Sequence, residues 1–141
     1  MVASSSHPMG LVAIAAPGDQ LPPWGAYATS EKLRIGYFDR SYDLANHQYG
    51  YTIATETGFG TQTFTTAQAT TVLSDPTQGD RWFSGRTPNP LFPHPTTFLG
   101  DYSGIATGSS GVAALWTDMR NNVCFTVRCG AGEDAFYATA P

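Results

Sequence analysis

The feature that most constrains this chain is an internal repeat. Gly18-Asp19-Gln20 leads into one apolar strand-like run, and Gly100-Asp101-Tyr102 leads into another 82 residues later. The next strand closes on Gly36-Tyr37-Phe38-Asp39-Arg40 in the first copy and on Leu115-Trp116-Thr117-Asp118-Met119-Arg120 in the second. A third aligns Tyr51-Thr52-Ile53-Ala54-Thr55 with Ala135-Phe136-Tyr137-Ala138-Thr139. Self-similarity of this kind means that one supersecondary unit has been used twice, and such units bury their faces against each other. The alternative, a small β-sandwich in which the likeness is coincidental, needs no second use of the unit.

Local signals make the unit all-β. Thr, Gly, Pro, Tyr and Phe dominate, and no window sustains apolar residues at helical spacing over three turns. Strands are expected at Trp24 to Thr29, Leu33 to Asp39, Tyr49 to Glu56, Thr63 to Leu73, Tyr102 to Thr107, Val112 to Thr117 and Asp134 to Thr139. Gly58-Phe59-Gly60 and Gly108-Ser109-Ser110-Gly111 read as turns. Pro76, Pro88, Pro90, Pro93 and Pro95 mark one long loop. The organisation is therefore a tail over 1–9, an apolar strand over 10–16, a first blade-like unit over 17–75, a Pro-rich loop over 76–99, and a second unit over 100–141.

Charge narrows the partners. With 41% hydrophobic and 13% charged residues the chain has the material for a core. A net charge of −4 and a single lysine, Lys32, leave no basic field for a phosphate backbone, so nucleic acid is excluded as a partner. The longest apolar run, Leu11 to Ala16, falls far short of the roughly 20 residues that span a bilayer. The first ten residues lack the basic and apolar regions of a secretory signal. Cys124 and Cys129 are separated by four residues, neither a redox pair nor half of a zinc quartet; a bridge closing a small loop and two free thiols are both open.

Two runs carry a family resemblance. Phe98-Leu99-Gly100-Asp101-Tyr102-Ser103-Gly104-Ile105-Ala106 with Gly111-Val112-Ala113-Ala114-Leu115-Trp116-Thr117-Asp118-Met119-Arg120 resembles the last blade of sialidase-like BNR-repeat proteins. Gly18-Asp19-Gln20-Leu21-Pro22-Pro23-Trp24 and Ile35-Gly36-Tyr37-Phe38-Asp39-Arg40 are similar to the blade before it. The resemblance implies a six-bladed β-propeller, secreted or periplasmic, that cleaves or binds glycans. This chain departs from it in having about two blades, and in a degenerate Asp-box turn, Thr55 to Phe64. Two blades leave open edges and faces. Homotrimerisation would complete six blades, with Gly10 to Ala16 as the outer strand that the second unit lacks, within the chain or in a neighbour.

Alternation of strand direction puts the loop entering the first strand and the loop joining the second and third on one side. That side gathers Asp19, Gln20, His94, Asp101, Tyr102, Asp39, Arg40, Asp43, His47, Asp118 and Arg120. The candidate catalytic set is Asp101, Tyr102, Arg120 and Asp39, in which a guanidinium pairs with a carboxylate while hydroxyl and acid act on the bond. Asp19, Arg40, Trp82 and Asp118 are candidate substrate contacts. A three-fold axis would multiply one His or Asp per chain into three ligands, so His94 and Asp101 are candidates for a zinc or calcium site. The reading favoured is a hydrolase of glycosidic or ester-type bonds acting near a propeller channel, though sialidase activity itself is not expected. The alternative is a non-catalytic glycan-binding module, with Trp24, Trp82, Tyr102 and Trp116 as stacking surfaces, although the alternating strand around Trp116 assigns it to the core. In either, Asp39 with Arg40 and Asp118 with Arg120 could instead tie adjacent units together.

Overall fold

The computed structural model describes residues 14, 17–76, 103–125 and 128–140. Nine strands follow in order: β1 (Trp24–Tyr27), β2 (Leu33–Asp39), β3 (Gly50–Glu56), β4 (Phe64–Gln68), β5 (Gly104–Gly108), β6 (Gly111–Asp118), β7 (Asn122–Phe125), β8 (Arg128–Ala131) and β9 (Asp134–Ala140). They form an antiparallel sheet β1-β2-β3-β4, a second antiparallel sheet β5-β6-β9, and a two-stranded ribbon β7-β8. The architecture is all-β, as the composition requires.

The pairing registers match the repeat. Tyr37 faces Thr52 and Ile35 faces Ala54 in the first sheet; Trp116 faces Phe136 and Ala114 faces Ala138 in the second. These are the positions that the sequence alignment equates. The sheets differ in that the second has three strands where the first has four, leaving β9 an edge among the described residues.

Period-two alternation builds the core. On β6, Val112, Ala114 and Trp116 are buried while Ala113 and Leu115 are exposed. The buried row packs with Ile105 against Phe38, Tyr51 and Ile53 of the first sheet. Tyr51 stacks on Trp116 with ring centroids 5.2 Å apart and 9° between planes, and Phe38 meets Tyr51 edge-on at 5.3 Å. Such aromatic pairs add to the stabilisation that burial gives. Gly36 is what lets the Tyr51 ring lie flat, because a Cβ there would stand 2.9 Å from it.

Two expectations are corrected. The fourth strand ends at Gln68, not Leu73. Beyond it the Thr70 hydroxyl accepts the Tyr51 N–H at 3.2 Å, replacing a ladder carbonyl, and the chain turns back until Ser74 pairs with Tyr49. The stretch around the cysteines, where no strand is expected, forms the β7-β8 ribbon, in which Cys124 and Cys129 stand opposite each other and, of the two possibilities left open, are joined by a disulfide. The turn between β3 and β4 is closed by Glu56, whose carboxylate accepts the N–H groups of Leu33 and Gln62 at 3.2 and 3.1 Å. These bonds, chiefly that from Gln62, hold its carboxyl below the usual range.

Candidate functional site

The polar residues gather where β2 and β6 end and β3 begins. Asp39 and Asp118, the last residues of β2 and β6, are each almost fully buried. Each caps its own turn in the same way: Asp39 Oδ1 accepts the Ser41 N–H at 2.8 Å, and Asp118 Oδ1 accepts the Arg120 N–H at 2.9 Å. Short side-chain-to-backbone bonds of this kind let a strand stop without orphaning its next donor. The sequence repeat of these aspartates is thus a repeat of turn chemistry.

Their second oxygens diverge. Asp39 Oδ2 accepts the Thr52 hydroxyl at 2.9 Å, and Thr52 is itself hydrogen-bonded to Tyr42. Asp118 takes the Arg120 guanidinium as a fork, Nε to Oδ1 at 2.9 Å and Nη2 to Oδ2 at 2.6 Å, with the Trp116 indole N–H at 3.3 Å. Burial pushes the Asp118 carboxyl up, but these bonds outweigh it and hold the group below the ordinary carboxylate range. The same pairing raises the Arg120 pKa. Arg120 also lies 4.3 Å above the Phe136 ring and donates to Thr71 at 3.1 Å. With the Met119 N–H donating to Ser74 at 2.9 Å, this turn binds the second unit to the end of the first.

Arg40 does not pair with Asp39. Its Nη1 reaches Asp19 Oδ2 at 3.3 Å, while its own N–H donates to the Asp19 carbonyl at 3.1 Å. Asn46 completes the group: its Nδ2 donates to Asp19 Oδ2 at 2.9 Å and its Oδ1 accepts the Asp19 N–H at 3.1 Å. The Asp19 side chain is 60% exposed, so a charged acceptor is presented to solvent in a fixed orientation. Asp43 orders the loop that brings Asn46 there, accepting N–H bonds from Ala45, His47 and Gln48 at 3.0, 2.8 and 2.8 Å. Those bonds, that from Gln48 first, hold its carboxyl below the usual range.

Asp19, Arg40 and Asp39 therefore share one sheet end, and Asp118 and Arg120 adjoin it through Ser74 and Thr71. Asp101, Tyr102, His94 and Trp82 lie outside the described residues. Asn46 and Asp43 matter more than their sequence setting suggests. The available signal was Asn46 itself, which holds φ +56°, a conformation Asn tolerates better than most residues. Trp116 is core, whereas Trp24 is 53% exposed on β1.

The class that this arrangement defines is an all-β protein of two packed antiparallel sheets built from one repeated unit. Compared with known proteins, the chain matches no family model, no curated protein and no solved structure.

Proposed function

We propose that this chain is a two-blade segment of a sialidase-like propeller and that it binds carbohydrate at the Asp19–Arg40–Asn46 end of its sheets without turning it over. The observation that carries the reading is the contrast among its carboxylates. Asp39 and Asp118 have their oxygens turned inward to a hydroxyl, an indole, a guanidinium and backbone N–H groups. Glycoside hydrolysis asks for a pair of carboxyl groups that reach the scissile bond and exchange protons with it. Asp19 alone among these three faces solvent, and it does so beside an amide and a guanidinium. That set of fixed donors and acceptors suits sugar hydroxyls, and the exposed Trp24 five residues on offers a ring face to a sugar's apolar side.

Binding of a panel of neutral and sialylated oligosaccharides, followed by calorimetry, tests the reading. Asp19→Ala and Asn46→Ala are expected to weaken binding at least tenfold, with the fold unchanged by circular dichroism. Hydrolysis remains the other outcome, resting on Asp101 and Tyr102 and on a zinc or calcium held by His94 and Asp101. Turnover of glycoside, carboxyl-ester or phosphoester substrates, lost with chelator, would replace the binding reading. Neither binding nor turnover would remove both.

A further inference from the structure

Arg34, the second residue of β2, is the exception among the arginines whose side chains the structure describes. Arg40 and Arg120 each pair with a carboxylate, at 3.3 and 2.6 Å. Arg34 pairs with none: its Nε and Nη1 are buried without a hydrogen-bond partner, and the half-buried residue keeps only Nη2 towards solvent. Burying a charged group costs free energy unless another group pairs with it, so a guanidinium in this state marks a missing counter-charge.

Its surroundings among the described residues fit an anion. Cross-strand pairing sets Ala26, Arg34, Thr55 and Thr65 in one row across the first sheet. Alternation puts that row on the face that turns Phe38 and Ile53 to the second sheet, at the end of β2 away from Asp39. Thr107 of β5 closes on the same end, its hydroxyl donating to the Tyr27 carbonyl. The row holds no acid. Glu56, next to Thr55, stands on the opposite face, and its carboxylate already takes the Leu33 and Gln62 N–H groups. Beside Arg34 stands the Thr55 hydroxyl, a second donor at the paired position of β3.

We propose that Arg34 anchors an oxyanion site, taking a small carboxylate or phosphate on the Nε–Nη2 edge of its guanidinium with the Thr55 hydroxyl as a further donor. That edge is the one Arg120 gives to Asp118, Nε to one oxygen and Nη2 to the other. The site lies at the opposite end of β2 from the Asp19–Arg40–Asn46 group, so it stands or falls independently of carbohydrate binding there.

Thermal unfolding of the full chain tests it, with inorganic phosphate and acetate each exchanged for chloride at constant ionic strength. The midpoint is expected to rise and saturate with phosphate, acetate or both, while chloride leaves it in place. The Arg34 Nε–H resonance, read by NMR in the unmodified chain and assigned by its loss in Arg34→Met, moves along the same titration. Arg34→Met also abolishes the rise, and in chloride alone it unfolds no lower than the unmodified chain, since no ion pair is lost. A rise that survives in Arg34→Met, or an Arg34 resonance that stays still in every salt, overturns the site. A marked loss of stability in Arg34→Met in chloride shows that the chain already supplies the counter-charge, and overturns it too. An unmodified chain that is dimeric by light scattering, monomeric as Arg34→Met and indifferent to both anions overturns the free ligand and moves its oxyanion to the second copy.

Discussion

The loops that follow β2 and β6 begin alike and end differently. Each opens with a buried aspartate capping its own turn. In the first unit the segment from Arg40 to Tyr49 is then held without a covalent link, by the Arg40–Asp19 pair, the buried Tyr49 and hydrogen bonds, three of them to the Asp43 carboxylate. In the second it becomes the β7-β8 ribbon, stapled by Cys124–Cys129. The arginines diverge with the loops: Arg120 folds back as a fork on Asp118, whereas Arg40 leaves Asp39 and reaches the exposed Asp19. One arginine secures the junction between the units, and the other, about as exposed at 23% against 20%, is paired with a carboxylate that faces solvent. The repeated turn thus ends a strand in both places while its arginine takes a different partner in each.

The sharpest way to break this comparison is to remove the aspartates. Asp118→Ala leaves a mostly buried guanidinium and the Trp116 indole N–H without their acceptor, a loss expected to cost about 3 kcal/mol. Asp39→Ala strands only a hydroxyl and one N–H, so about 2 kcal/mol is expected. Urea denaturation of the two variants gives both numbers. Equal losses would mean that the Arg120 fork adds nothing to the junction.

Reduction and acid should act on opposite loops. Cleaving Cys124–Cys129 frees a short ribbon, an effect of about 2 kcal/mol at most, since little loop entropy is held by so small a ring. Amide exchange is expected to quicken in β7-β8 while Ala45, His47 and Gln48 stay protected. Quickening in both loops would show that they are one cooperative unit.

Seven of the nine strands were legible because apolar residues and Gly turns mark them directly, whereas β7-β8 was not, and the fourth strand's end was misplaced. The shared turn was legible as a recurring Asp-x-Arg-like pattern, but its chemistry was not. Nothing in Asp39-Arg40 against Asp118-Met119-Arg120 says that one arginine folds back on its own turn's aspartate and the other reaches Asp19. That choice depends on what lies alongside: Phe136 and Thr71 beside Arg120, Asp19 and Asn46 beside Arg40. The inward course of the chain after Gln68 was hidden for the same reason. It hinges on the Thr70 hydroxyl standing in for a backbone carbonyl opposite a strand 19 residues away.

Acid distinguishes the loops from the other side. Asp43, Glu56 and Asp118 all have carboxyl pKa values below the ordinary range in the folded chain. The folded state therefore binds fewer protons than the unfolded one near and below about pH 4, where free carboxyls titrate. The stability they give is present above that value and is lost as pH falls through their lower folded values. The Asp43 loop has no covalent staple, so its amides are expected to lose protection at a higher pH than those of β7-β8. Asp43→Asn removes the charged acceptor and should loosen that loop at neutral pH, leaving less for acid to take. A loop that opens at the same pH in both forms would show that Asp43 does not hold it.

The smallest effect on stability should carry the most about function. The Arg40–Asp19 pair is surface-exposed and 3.3 Å long, so Arg40→Met is expected to change stability by less than about 1 kcal/mol. Arg120→Met, which empties a forked and largely buried pairing, should cost about 2 kcal/mol. If the arginine beside the exposed Asp19 serves recognition, oligosaccharide affinity moves the other way: Arg40→Met loses most of it, while Arg120→Met, measured well below its melting temperature, retains it. Both variants losing affinity together would mean that the bound surface extends across the junction. Arg40→Met binding as the unmodified chain does would return Arg40 to the scaffold, where Arg120 already stands.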